Sequence, residues 1–316
     1  VSLNSIGRIF AIFAGIVTGI LLPLVRQSLG GWATTVIVLS ILSAAMMIPM
    51  CLFAKERVIE REKARDGGAE ENYTLRDMVE CLRSNKYLLI FFAAPLISSL
   101  LNVGATWGLY IARYCLGGEE IASFVSMAVI VPTLIGAAIA VQLCKKYDKF
   151  KIFYFSYMFA LILGIVRYIA GYENMMVYVI LNALGGFPLG IAAILQYQFT
   201  PDCYEYGQYK TGLKMRGVTF AAQTFFTKLN GAIATAASVF ALTLIGFKEG
   251  EGVIQAAGFA DKLWTFSCLG SIIGGICTLL ILHLYKLNDH DVQLMSKCNN
   301  GEITREEAEA QMINRY

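Results

Sequence analysis

Lys228 occupies a position that demands a chemical reason. It lies about eleven residues into the apolar run 217–246, or roughly 16 Å along a helix, close to the middle of a hydrocarbon layer. An ionisable group at that depth costs on the order of 2.5–3.5 kcal/mol, so its retention implies a function or a buried partner. Thr224, Lys228, Gly231, Thr235 and Ser238 recur at three- and four-residue steps and share one helical face, while Phe225, Phe226, Leu229, Ile233 and Phe240 occupy the others. A polar, small-residue stripe on an otherwise lipid-like helix has the character of a hydrated cavity wall. Tight packing through small residues is the competing reading, and the lysine favours the cavity. No acid within the apolar runs neutralises Lys228, and Asp202 and Glu205 lie at the inner end of the preceding run. Its counter-charge is therefore expected outside this stretch of sequence.

Other polar residues in apolar surroundings carry less. Arg8 shares a face with Ala11, Gly15, Thr18 and Gly19. It is a membrane-embedded group if its helix begins upstream, and a flanking charge if the helix begins here. Arg167 stands near the outer end of its run, where an arginine can snorkel to the interface. Gly185-Gly186-Phe187-Pro188 with Gly190 is either a hinge or a close-packing surface, and Asn102 and Trp107 either line a solute path or hold helices together. The eight cysteines contain no CxxC pair and read as small buried apolar residues, with Cys115 alone in an outward loop. Two histidines are too few for a metal site. The apolar runs hold no acid pair and no Ser/His/Asp constellation, so an enzyme is not expected.

The elements that position these residues follow from composition. The 316 residues are 57% hydrophobic and 16% charged, with a mean hydropathy of +0.59, against about 25% charge in an ordinary soluble domain. The apolar runs are continuous, which selects helices over a barrel. Eight spans are expected, at 7–28, 32–54, 86–112, 120–144, 152–170, 175–199, 217–246 and 262–286. Sorted by connection, nineteen Lys and Arg fall on one side and four on the other, leaving Arg8, Arg167 and Lys228 within spans. Basic loops face inward, so the tail is expected to be cytoplasmic. Connection lengths divide the chain into 1–54, a long polar loop at 55–85 with an amphipathic piece from Thr74 to Leu82, a six-span part at 86–286, and a tail at 287–316. In that tail Thr304 and Glu307 have capping-box spacing. The start at Val1, with no initiator Met and no signal peptide, reads as a fragment. Net charge of +3 without a basic stripe gives no reason to expect nucleic acid.

One string is specific. Asp202-Cys203-Tyr204-Glu205-Tyr206-Gly207-Gln208-Tyr209-Lys210-Thr211-Gly212, followed by Gly217 and Gln223-Thr224-Phe225-Phe226-Thr227-Lys228-Leu229, resembles the signature of the glycoside-pentoside-hexuronide:cation symporters. These form the melibiose permease-like branch of the major facilitator superfamily. Lys146-Tyr147-Asp148-Lys149 resembles a basic loop of the same family. The resemblance covers essentially the whole chain, with one departure: Arg216 stands where the family usually has an acid. It implies an all-α polytopic major facilitator fold, of which the eight spans would be helices five to twelve. It further implies a secondary transporter in a bacterial inner membrane, monomeric, coupling entry of a sugar or glycoside to Na⁺ or H⁺, with no other cofactor. Arg8, Gln223, Thr224 and Lys228 match substrate-facing positions, with Lys228 also serving cation coupling. Asp202, Glu205, Tyr206, Gly207, Lys210 and Gly212 match the family's loop motif. A related facilitator carrying a lipid or another small solute is the alternative.

Overall fold

The computed structural model describes residues 14, 32–53, 75–118, 120–249 and 253–316. The described residues divide into two compact units, a smaller one within 12–77 and a larger one running from Met78 to Tyr316. Arg8 and the span expected at 7–28 lie outside the described residues. In the smaller unit, α1 (Trp32–Phe53) is apolar throughout and leaves Val36, Ile41, Met46 and Leu52 exposed. The amphipathic piece expected from Thr74 is α2 (Leu75–Ser84).

The larger unit is a helical bundle. It contains α3 (Lys86–Leu101), a 3₁₀ turn (Val103–Thr106), α4 (Gly108–Cys115), α5 (Glu120–Leu143), α6 (Lys149–Ala170), α7 (Met175–Leu195), α8 (Phe199–Thr211), α9 (Arg216–Leu244) and α10 (Phe259–Leu282). The tail adds α11 (Asp289–Asn299) and α12 (Arg305–Gln311). Among the described residues, five helical segments are long and apolar enough to cross a membrane: Ile121–Leu143, Lys149–Ala170, Met175–Thr211, Arg216–Leu244 and Phe259–Leu282. Their outer faces carry Val131, Ile162, Ile169 and Leu280, all exposed. Water would not tolerate such a surface, and lipid requires it.

Two departures from the expected spans bear on the site. The run at 86–112 is not one helix: α3 stops at Asn102, the chain makes a 3₁₀ turn, and α4 resumes at Gly108. Asn102, Gly104 and Gly108 are weak helix formers, and the interruption is held by tertiary contacts. Trp107 is fully buried and its Nε1 donates to Ser238 at 2.8 Å. The Thr106 and Ser238 hydroxyls lie 2.5 Å apart, and the Ser99 hydroxyl lies 2.5 Å from Asn230 Oδ1. These contacts bind the broken helix to α9, so Trp107 is a packing residue.

The second departure concerns Gly185 to Gly190. A Cβ on Gly136, Gly186 or Gly190 would strike the backbone of Phe187, Val129 or Thr133 respectively, so the glycines of α5 and α7 form a close-packed seam. Gly185 alone faces open space.

The core has two clusters, one at each end of the bundle. The tail-end cluster gathers Phe91, Phe153, Phe199, Tyr206 and Tyr285. The far-end cluster gathers Trp107, Tyr178, Ile245, Phe259 and Trp264.

Candidate functional site

The α9 stripe has the composition read from the sequence, and the fold treats its members differently. Ser238 is buried under Thr106 and Trp107, whereas Thr224, Lys228, Gly231 and Thr235 are exposed and Gln223 is half-buried. Lys228 has no carboxylate partner among the described residues. The threonines are bonded back into their own helix: Thr224 Oγ1 donates to the Phe220 carbonyl at 3.1 Å, and Thr235 Oγ1 to that of Gly231 at 3.0 Å. Thr224 therefore presents acceptor lone pairs outward. The stripe thus offers an ammonium and hydroxyl acceptors along one face, with the half-buried Gln223 carboxamide beside it.

The signature residues 202–211 are helical, although their polarity reads as a loop. Pro201 falls in the first turn of α8, where a missing N–H is harmless, and Asp202 and Lys210 suit the two ends of the helix dipole. Gly212 ends it with φ +75°, a left-handed cap that disfavours a side chain. Phe199, Cys203 and Tyr206 form a buried face.

Each signature residue then has a specific contact at the tail end of the bundle. Lys149 Nζ bonds Asp202 at 2.8 and 2.9 Å and Asp289 Oδ1 at 3.1 Å. The Lys149 N–H donates to Asp289 Oδ2, while the Asp289 N–H donates to Asp148 Oδ2. Asn299 Nδ2 donates to both the carbonyl and the carboxylate of Glu205. Tyr206 is fully buried, edge-on to Tyr87 with ring centres 4.7 Å apart. The Lys210 ammonium reaches the Tyr206 hydroxyl at 3.5 Å. Gly207 is required by Asn85, whose Nδ2 would lie 2.8 Å from an added Cβ. That same Nδ2 donates to the Cys203 carbonyl at 2.6 Å, and Asn85 Oδ1 caps α3 at the Leu88 N–H. The signature is thus a docking surface for the α5–α6 connection and the tail, while the α9 stripe stays exposed apart from Ser238.

The tail closes over this surface. Asp291 is inaccessible to solvent and accepts from the N–H groups of Ile313 and Asn314, from Asn288 Nδ2 and from the Tyr316 hydroxyl. Burial raises its pKa, but these bonds more than offset that and hold the carboxyl below its ordinary value. The Tyr316 ring packs against Tyr87 and Tyr206. The capping box of Thr304 and Glu307 is formed at the start of α12. Of these tail contacts only the capping box was read from the sequence, although Asn288 followed three residues later by Asp291 is a recognisable helix-start signal.

A cavity of about 480 Å³ lies inside the bundle, walled by α3, α5, α6, α7 and α10. Asn102, expected to line a path or to pack, does both: it faces this cavity, and its Oδ1 accepts from Ser271 at 2.7 Å. Arg167 also lines it. Its Nε is buried, so it turns inward where snorkelling was expected.

Comparison with known proteins agrees with this architecture. A family model described as MFS/sugar transport protein matches residues 1–289. The uncharacterized symporter YnaJ of Bacillus subtilis is 24% identical over 81% of this chain and 56% of its own length. The putative glycoside/cation symporter YagG of Escherichia coli is 23% identical over 92% of this chain and 63% of its own length. The putative sulfoquinovose importer of Escherichia coli is 22% identical over 75% of this chain and 51% of its own length. The chain spans about half the length of the curated relatives it matches, at 56%, 50% and 51% for three of them. The family match over nearly the whole chain, the helices able to cross a membrane and the lysine-bearing polar stripe converge: this is a multi-pass membrane chain belonging to the MFS/sugar transport protein family.

Proposed function

We propose that the protein to which this chain belongs is a secondary symporter that couples movement of a sugar, glycoside or sugar acid to Na⁺ or H⁺ by alternating access about a midplane site. The observation that carries this reading is Lys228, exposed along α9 at membrane depth and without a carboxylate partner among the described residues. Its role is to hold carboxylates contributed from outside the described residues when the cation is absent. A cation binding those carboxylates releases the lysine, so the two events are reciprocally linked. Gln223 donates to substrate hydroxyls, Thr224 accepts from them, and Arg8 adds a guanidinium from the preceding half. Residues 86–286 then form one six-helix half, and the lysine-rich tail end faces the cytoplasm of a bacterial cell. Relatives named as importers of sulfoquinovose and as exporters of 2,3-dihydroxypropane-1-sulfonate support an anionic polyol as cargo, which suits an unpaired ammonium.

The test is uptake in cells carrying the full-length protein. Lys228→Ala is expected to reduce cation-stimulated accumulation at least about tenfold, the effect of losing one charge-assisted bond, while leaving membrane insertion intact. Unchanged accumulation with unchanged cation dependence overturns the role of Lys228.

A further inference from the structure

Near the far end of the bundle, Arg167 on α6 and Trp264 on α10 each bury an N–H that finds no acceptor among the described residues: Arg167 Nε and Trp264 Nε1. Both groups are donors only. Buried polar groups are almost always partnered, so two orphan donors in one neighbourhood mark a missing acceptor. Their neighbourhood is shared. Cys268, one turn along α10 from Trp264, lies within hydrogen-bonding reach of the Arg167 guanidinium. Tyr178, whose ring centre is 5.8 Å from that of Trp264, lies within range of the same charge.

The cavity of about 480 Å³ ends at Arg167, with Trp264, Tyr178 and Cys268 behind its wall and outside its lining. Its lining contains Arg167 and no Asp or Glu. Asp261, the acid in the first turn of α10, is exposed and accepts from Tyr172 instead. The site therefore holds one positive charge uncompensated by its own walls. From Arg167 back to Ser156 the lining runs eleven residues along α6, about 16 Å of helix. Leu161, Leu181 and Leu189 make the side walls apolar, with Asn102, Asn182 and Ser271 interspersed. Mostly apolar walls with a few convergent polar groups are the marks of a small-molecule site.

We propose that this cavity binds a soluble organic monoanion, a carboxylate or sulfonate whose head accepts from Arg167 and whose uncharged body lies along Leu161, Leu181 and Leu189. The site is separate from the α9 stripe, since neither Gln223, Thr224 nor Lys228 lines the cavity. A guanidinium pairs with either head group in bidentate fashion.

The experiment is calorimetric titration of the full-length protein in a non-ionic detergent with hexanoate and benzenesulfonate. Hexanamide and benzenesulfonamide serve as neutral counterparts. The anions are expected to bind saturably, at one per chain, and the amides at least tenfold more weakly, on the order of one charge-assisted bond. Arg167→Gln is expected to weaken the anions by a similar factor without affecting the amides. Gly185→Leu extends a side chain from a position where an added Cβ meets nothing within 4 Å, and so fills the cavity while keeping the guanidinium. It is expected to abolish hexanoate binding, and it carries the test if Arg167→Gln does not fold. Equal binding of anion and amide, or hexanoate affinity unchanged in Gly185→Leu, overturns the proposal. Loss of hexanoate binding in bilayer discs of anionic lipid, with retention in discs of zwitterionic lipid, assigns the head group to a lipid and overturns the soluble ligand.

Discussion

At the scale of single residues, the two lysines that matter do opposite things. Lys228 is exposed without a carboxylate partner among the described residues, whereas Lys149 is shared between Asp202 and Asp289, with the Lys149 and Asp202 side chains only 16% and 12% exposed. Removing one member of such a pair leaves a charge desolvated and alone, at a cost of about 3–5 kcal/mol. Asp202→Asn is therefore expected to lower the unfolding midpoint of the detergent-solubilised protein markedly, and Lys149→Met combined with Asp202→Leu to cost much less than the two single changes together. Additive losses would show that the pair is not coupled. The sequence exposes both lysines by number and context, but not this difference. Lys149 reads as one of four basic residues in an inward loop, and its acids lie 53 and 140 positions away along the chain.

At the scale of elements, the α5–α7 seam and the α8 signature were legible as glycine and polar patterns and ambiguous in meaning. A glycine run with a proline reads equally as hinge or packing, because the pattern says nothing about what stands opposite. The backbone of the facing helix decides it. Gly190→Val, which drives a branched side chain into the Thr133 backbone, is expected to destabilise the bundle by at least about 1–3 kcal/mol, the usual cost of overpacking. Gly185→Ala, with free space around its Cβ, should be neutral or stabilising, since alanine is the better helix former. Thermal unfolding of the two variants checks both, and equal midpoints would contradict the seam.

The tail makes a pH prediction at the same scale. Asp291 has a depressed pKa in the folded protein, so its contribution to holding the tail is complete above the ordinary carboxylate value. That contribution is lost as pH falls through the lower folded value. Hydrogen exchange at the amides of Ile313 and Asn314 should be slow at neutral pH and accelerate on acidification. In Asp291→Asn it should be faster at neutral pH and lose most of that pH dependence. The tail docks on the α8 signature, so its helices and the signature are one assembly, and no local pattern links residues 202–212 to Tyr316.

At the scale of the whole molecule, the asymmetric distribution of Lys and Arg supports the proposed placing of the tail end in the cytoplasm. Ile254, 92% exposed between α9 and α10, and Glu302 in the tail, also exposed, lie at opposite ends of the bundle. A membrane-impermeant maleimide should label Ile254→Cys in intact cells above the background of the native cysteines, and Glu302→Cys only after lysis. The reverse pattern would invert the topology.

Hydropathy, charge segregation and the 202–229 string determined by themselves that this chain crosses a membrane many times, belongs among helical transporters, and carries a lysine in a polar stripe. Each is a one-dimensional property, since a bilayer imposes its thickness on every span and a helix repeats its face every three to four residues. Only the tertiary structure decided which polar residues stay exposed and which face each other. Trp107 and Ser238 became a packing contact, the signature became a docking surface, and Arg167 turned inward beside Trp264. Such outcomes depend on which helices are neighbours. Neighbourhood across a bundle is set by the packing of helices distant in sequence, which the local pattern of any one helix does not contain.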